Sequence, residues 1–124
     1  MAAIGGSGQS DKPIEEQARE QTGQRQIRVG VDERNMLVSY ANAFRTAPTA
    51  EEVILDFGLN LVNPARTEQQ PQQPDVIFQV NQRVILNYYT AKRLAITLSQ
   101  LIRRHEEQFG ELELDVSKRR TDGK

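Results

Sequence analysis

Apolar and polar residues alternate with a period of two along much of the chain before residue 87. The segment RQIRVGVD places Ile27, Val29 and Val31 on one side and Arg28 and Gly30 on the other. This alternation is typical of a strand with one buried face, because successive side chains of a strand point to opposite sides. The polar residues DERN that follow it predict a turn.

Three later segments show the same period. Large apolar residues share one parity from Met36 to Phe44 and again from Val53 to Leu61. The segment VIFQVNQRVIL predicts one long strand over residues 76–86, with a bulge near residues 81–82. The segment NPARTEQQPQQPD lies between the last two of these strands, has no apolar face and predicts a loop. The sequence therefore predicts four strands.

From Asn87 onward the period lengthens to between three and four residues, which predicts an amphipathic helix. Asn87 is a suitable N-cap, and Gly110 is a suitable residue to end the helix. The apolar stripe consists of Ala91, Leu94, Ala95, Leu98, Leu101, Ile102, His105 and Phe109. We expect the stripe to cover Val29, Val38, Leu55, Phe57, Phe78 and Val84.

These elements predict an α+β fold, namely an antiparallel four-stranded β-meander with one long C-terminal amphipathic helix packed on one face. Residues 1–24 carry few large aliphatic side chains and are predicted to be a disordered N-terminal arm. Residues 25–114 form the single α+β domain, and residues 115–124 are predicted to be a disordered basic tail.

One helix cannot cover both faces of a sheet, and the predicted outer face carries several aliphatic residues. Leu37, Ile54, Ile77 and Ile85 belong to it and are the candidate interface. Large exposed apolar patches are unusual on monomers, so we expect a homo-oligomer formed through this face, with a different protein partner as another possibility. The alternative is that scattered surface aliphatics need no explanation.

Composition limits the classes of partner. Among 124 residues, 37% are hydrophobic and 27% are charged, with a formal net charge of −1, so no global field attracts nucleic acid or an anionic membrane. The chain has no Cys, no apolar run long enough to span a membrane and no apolar leader after its first residues. We therefore expect a cytoplasmic protein that does not contact membranes.

No residues form a recognisable catalytic, metal or cofactor motif, so we expect a protein that is not an enzyme and takes no cofactor. His105 is the only histidine, and it lies on the apolar stripe of the helix, where a packing role is more common than catalysis. The carboxylates around the start of the third predicted strand are Glu51, Glu52 and Asp56. They are expected either at a solvated edge or in a salt bridge with Arg45 or Arg83.

Nucleic-acid binding is an alternative that rests on one face of the helix. Lys92, Arg93, Arg103 and Arg104 lie off the apolar stripe and are the candidate contacts, with Tyr88 and Tyr89 available to stack on bases. Charged residues are also what any solvated helix face carries, and the domain as a whole is nearly neutral.

Two segments, EEVILDFGLNL and RVILNYYTAKRLAITLSQLIRRHEEQFGEL, resemble a widespread prokaryotic family of small uncharacterised proteins, classed as a domain of unknown function. The resemblance spans about residues 25–114 and rests on the Asp-Phe pair, the Ala-Lys-Arg-Leu block and the Glu-x-x-Phe-Gly ending. Asn87 and Tyr88 stand where that family tends to have Thr-Pro, and His105 stands where it tends to have Tyr. The resemblance implies a shared fold and no particular activity.

At the level of architecture alone, a meander followed by a helix is also similar to preprotein-export chaperones that hold unfolded chains. We therefore predict a non-catalytic binding or assembly protein that self-associates through the outer sheet face. The alternatives are a nucleic-acid-binding protein that uses the basic helix face and tail, and a chaperone-like holder of unfolded polypeptide.

Overall fold

The computed structural model describes residues 8–120, which divide into two compact units with the boundary between Tyr40 and Ala41. Their helices and strands are α1 (Gly8–Thr22), β1 (Ala43–Pro48), β2 (Glu52–Val62), β3 (Val76–Asn87), α2 (Tyr88–Phe109) and α3 (Val116–Arg119). Each unit is described by itself below.

The first unit contains α1 and an extended segment. α1 ends at Gly23, whose φ of 75° suits glycine and whose N–H donates to the carbonyl of Arg19 at 2.8 Å. The residues that follow α1 turn at Met36, whose N–H donates to the carbonyl of Glu33 at 3.1 Å. No described residue before Ala43 belongs to a strand, so the predicted strand at residues 27–31 is wrong.

The physical reason for this error is the absence of a neighbour. Alternation shows that Ile27, Val29 and Val31 could share a buried face, but a strand also needs a second strand to accept its backbone hydrogen bonds. No such partner lies beside this segment in the described residues of its unit. The sheet therefore has three strands instead of four, because the first predicted strand is not present.

The ends of the chain contain short helices where no regular structure was predicted. α1 occupies most of the predicted N-terminal arm, and α3 occupies part of the predicted tail. Asp115 caps α3, because its carboxylate accepts from the backbone N–H of Ser117 at 3.0 Å. Residues 1–7 and 121–124 lie outside the described residues. The boundaries of the arm, domain and tail stay predictions.

The second unit is a three-stranded antiparallel meander followed by α2. The strands lie in the order β1-β2-β3, with β2 in the centre. β1 starts and ends later than the strand predicted from Met36 to Phe44, because its register with β2 begins at the pair Ala43–Gly58 and ends at the pair Pro48–Val53. The α+β class and the long C-terminal helix are confirmed.

β3 contains the bulge that the sequence indicated. Phe57 of β2 pairs with Gln82 and Gly58 pairs with Val80, so Asn81 is the extra residue. An added Cβ at Gly58 would collide with the backbone carbonyl of Gln79, which explains why glycine occupies this position. The bulge also moves every β3 residue before Asn81 to the face opposite the one that uninterrupted alternation predicts.

Phe78 shows this change directly. It was predicted to lie beneath the helix, but it lies on the outer face, where the Arg45 guanidinium is 5.8 Å from its ring centre. Ile77 changes face in the opposite direction, from the predicted outer face to the helix side. It pairs with Leu61 on β2, which by alternation shares the helix-side face with Leu55 and Phe57.

α2 begins and ends at the predicted residues. The side chain of Asn87 accepts from the backbone N–H of Thr90 at 2.8 Å, as an N-cap does. Gly110 follows the helix with a φ of 95°, and its N–H donates to the carbonyl of Glu106 at 2.8 Å. α2 contacts both β2 and β3, so it lies on one face of the sheet.

Candidate self-association surface

The sheet and α2 enclose an apolar groove that is open to solvent. It has a volume of about 340 Å³. The groove is lined by Phe44, Val53, Leu55, Phe57 and Leu86 from the strands and by Ala91, Leu94, Ala95 and Leu98 from α2. Odd-numbered residues of β2 reach this groove because they share one face of the strand, as the period of two predicts.

The groove is not closed by a hydrophobic core. Among residues whose side chains the structure describes, no hydrophobic side chain is buried. The buried polar side chains are those of Asp56, which is 2% exposed, and Asn63. Folded domains of this size normally bury many aliphatic side chains completely, so the described chain presents an unfinished core.

The apolar stripe of α2 extends beyond the groove. Leu101, Ile102 and Phe109 continue the stripe toward the C-terminal end of the helix, and all three are exposed. None of the three lines the groove. The sequence predicted that the whole stripe would cover the sheet, whereas its second half stands open and available to another surface.

A row of charged side chains crosses the outer face at the middle of the sheet. Arg45, Asp56 and Arg83 are direct neighbours on β1, β2 and β3. Arg83 donates to both carboxylate oxygens of Asp56, through Nε at 2.7 Å and Nη2 at 3.0 Å, and Arg45 donates through Nε at 2.8 Å. The predicted salt bridge therefore forms with both arginines.

This arrangement fixes the protonation state of Asp56. The hydrogen bonds from Arg83, and then those from Arg45, hold the pKa of the Asp56 carboxyl well below its usual range, although its desolvation acts in the opposite direction. The same contact with Asp56 raises the pKa of Arg83. The row ties the three strands together and leaves one net positive charge on the outer face.

Three of the four residues of the predicted interface belong to the second unit, and these three do not form one patch. Ile54 and Ile85 are direct cross-strand partners on the outer face, and Ile85 is 54% exposed. Ile77 lies on the helix side because of the bulge. Leu37, the fourth residue, belongs to the first unit.

The predicted nucleic-acid residues lie in two pairs along α2. Arg103 follows Lys92 by eleven residues, which is about 16 Å along a helix. Arg93 and Arg104 repeat this spacing one residue later. Lys92 also lines a second cavity, of about 560 Å³. Its other lining residues are Ala50, Glu51, Asn87, Tyr88 and Tyr89.

The two tyrosines in that cavity differ in their contacts and exposure. The Tyr88 hydroxyl donates to the carbonyl of Thr49 at 2.9 Å, so it joins α2 to the turn between β1 and β2. Tyr89 is exposed. His105, by contrast, has its ring centre 4.9 Å from that of Phe109. No group of three or more acidic or histidine residues that could hold a metal occurs in the described part of the chain.

The family of the chain is shown by comparison with known proteins. Residues 9–114 match the family of proteins of unknown function called DUF3467. The chain belongs to this family. This confirms the resemblance to a family of uncharacterised proteins, and membership of DUF3467 supplies no activity. No curated protein and no solved structure matches the chain. No helix of this DUF3467 chain between residues 8 and 120 is long and apolar enough to cross a membrane.

Sequence reasoning missed one feature of this DUF3467 chain, the open second half of the α2 stripe, because an amphipathic pattern shows which residues prefer burial and not what buries them. The position of β3 at the edge of the sheet agrees with the predicted meander, in which this strand is also the last one.

Proposed function

We propose that this DUF3467 chain is an assembly protein that acts by binding and self-associates into a homo-oligomer. The observation that carries the proposal is the absence of any buried hydrophobic side chain among the described side chains. Burial of apolar surface is the main favourable contribution to folding, so the chain needs a partner whenever it is folded. A second copy of the same chain is a partner that is always present at the same concentration as the first.

The open apolar area on the helix side has the size that a stable interface requires. Nine large apolar residues on this side are exposed, namely Phe44, Leu61, Ile77, Val84, Leu94, Leu98, Leu101, Ile102 and Phe109. A half-exposed large side chain leaves on the order of 100 Å² open. Together the nine side chains offer roughly 900 Å², which is close to the area of about 800 Å² that each partner contributes to a standard interface.

Charge does not oppose association of identical chains. The formal net charge is −1, so two copies repel each other only weakly. The outer face was predicted to be the contact surface, and the pair Ile54–Ile85 remains there as a smaller apolar patch. The helix-side surface is the larger of the two, and we place the main contact there.

Light scattering on a sizing column tests the proposal with two matched variants. Leu98→Lys charges a groove residue that is 46% exposed, and Ile96→Lys charges a residue of the same helix that is 50% exposed and does not line the groove. We expect the wild type and Ile96→Lys to be oligomers at low and high salt, and Leu98→Lys to lose mass. Circular dichroism at 222 nm reports whether Leu98→Lys retains its helix.

A monomeric wild type with full helical content at micromolar concentration would overturn the proposal. An Ile54→Lys variant, which charges the outer face on the central strand, separates the two surfaces. If Ile54→Lys dissociates and Leu98→Lys does not, the outer face is the contact surface, as the sequence suggested.

Nucleic-acid binding is a second candidate, and the cavity lined by Lys92 and Tyr89 favours it. In this case a single-stranded oligonucleotide would stack on Tyr89 and contact Lys92, and its affinity would fall steeply with added salt. Glu51 in the same cavity opposes a phosphate. Fluorescence anisotropy of a labelled oligonucleotide at two salt concentrations, with Lys92→Ala as the variant, tests this candidate.

Holding of unfolded polypeptide is a third candidate, since the groove is apolar and open. A chaperone of this kind would delay the aggregation of an unfolded client at stoichiometric ratio, and Leu98→Lys would reduce the delay. A client assay in which the wild type has no effect removes this candidate and leaves self-association untouched.

A further inference from the structure

The two edges of the sheet differ in how well they are protected. β1 forms one edge, is short, and ends in Pro48, which cannot donate a ladder hydrogen bond. β3 forms the other edge, is 12 residues long, and contains neither Pro nor Lys. Its one charged residue, Arg83, is bound to Asp56. Proteins normally protect long edge strands, and the bulge at Asn81 disrupts the first half of β3. Its regular second half, residues 82–87, is therefore the unprotected part of the edge and indicates a pairing surface.

We infer that β3 pairs antiparallel with β3 of a second copy and joins two sheets into one of six strands. This inference rests on the proposed self-association and adds a contact through the strand edge to the one on the helix side. A strand that pairs with its own symmetry mate makes an isologous contact, which closes as a dimer and does not propagate into a fibre.

The position of α2 fits this arrangement. α2 contacts β3 as well as β2, so it lies on one face of the sheet beside the edge that pairs. A two-fold axis perpendicular to the joined sheet places both copies of α2 on the same face of the six strands.

Side-chain chemistry selects the register. The bulge at Asn81 interrupts the strand, so the regular segment available for pairing is Gln82–Asn87. Opposed residues of an antiparallel pair must lie on the same face, so the axis passes beside a residue that meets its own mate. With Ile85 at the axis, Val84 meets Leu86 and Arg83 meets Asn87, so apolar residues oppose apolar ones and polar residues oppose polar ones.

The register gives distances that can be measured. Ala47, Ile54 and Ile85 form one row across β1, β2 and β3. In the joined sheet the two copies of Ile85 are neighbours, the two copies of Ile54 lie three strand spacings apart, about 14 Å, and those of Ala47 lie five spacings apart, about 24 Å.

The chain has no Cys, so single cysteines can be introduced without background. We would attach nitroxide labels to Ile85→Cys, Ile54→Cys and Ala47→Cys in the full chain and measure pairwise distances by electron paramagnetic resonance. Light scattering first confirms that each labelled variant keeps the mass of the wild type. We expect the shortest distance at Ile85, and distances that increase in the order Ile54, Ala47. Mild oxidation of unlabelled Ile85→Cys should also give a disulfide-linked dimer, whereas Ala47→Cys should not.

Two results would overturn the inference in different ways. An oligomer in which the Ile85 labels are farther apart than the Ala47 labels would reject pairing through β3 and leave the proposed self-association standing. A wild-type monomer would reject both.

Discussion

Asp56 is the residue on which the centre of the sheet depends. Its carboxylate is 2% exposed and is held between Arg83 and Arg45. Since the pKa of Asp56 is lower in the folded chain than in the unfolded chain, the ionised carboxylate stabilises the fold at neutral pH. This contribution is present above the usual Asp pKa of 3.8 and is lost as the pH falls below it toward the folded value.

We therefore predict that the free energy of unfolding decreases between about pH 5 and pH 2, and that Asp56→Asn weakens this dependence and is less stable than the wild type at pH 7. Urea titrations at fixed protein concentration, followed by circular dichroism, measure both effects. Asp75→Asn is the matched control, because Asp75 is 80% exposed in its ion pair with Arg66. Equal pH dependence of the wild type and Asp56→Asn would show that the row contributes no linked protons.

Gly58 lies so close to the backbone of β3 that a larger residue should destabilise the sheet. An added Cβ would collide with the carbonyl of Gln79 at the bulge, so Gly58→Ala must shift β2 away from β3. We expect this substitution to cost about 1–3 kcal/mol in stability. Gly30→Ala is the control, because a Cβ at Gly30 meets nothing within 4 Å. Chemical denaturation of both variants measures the difference in stability. Equal denaturation midpoints for Gly58→Ala and Gly30→Ala would contradict the close contact between Gly58 and Gln79 at the bulge.

At the scale of elements, α2 was predicted more accurately than the strands. A helix makes its backbone hydrogen bonds within itself, so the cap at Asn87, the stripe and the glycine at residue 110 are sufficient to define it. β2 and β3 were also located, because each alternates for many residues. The segment at residues 27–31 alternates as clearly and has no strand beside it, which shows that a strand is a property of at least two segments.

The cap at Asn87 can be tested by itself. Its side chain satisfies the N–H of Thr90, so Asn87→Ala should cost about 1 kcal/mol, and Asn87→Ser should restore most of this loss. Thermal unfolding followed at 222 nm is the measurement. If alanine and serine behave alike, the side-chain hydrogen bond does not stabilise the start of α2.

The candidate site was predicted only in part, and the bulge accounts for much of the difference. Uninterrupted alternation places Ile54, Ile77 and Ile85 on one face, and the extra residue Asn81 moves Ile77 to the other. Alternation with a period of two does not show which face of the sheet each half of a strand takes when a bulge separates the two halves. The sequence predicted an oligomer from the outer aliphatic residues, but the larger open surface is on the helix side, where the sequence predicted a closed core.

For the whole molecule, association and folding should be one equilibrium. The described side chains include no buried hydrophobic residue. Under the proposed self-association a second copy completes the apolar burial, and the folded state then gains stability from protein concentration. We predict that a 100-fold increase in concentration raises the free energy of unfolding by about 2.7 kcal/mol of dimer and moves the urea midpoint upward. Ile96→Lys should keep this dependence, and Leu98→Lys should unfold at a lower midpoint at every concentration. A wild-type midpoint that stays constant over the same range would mean that the single chain completes its own core.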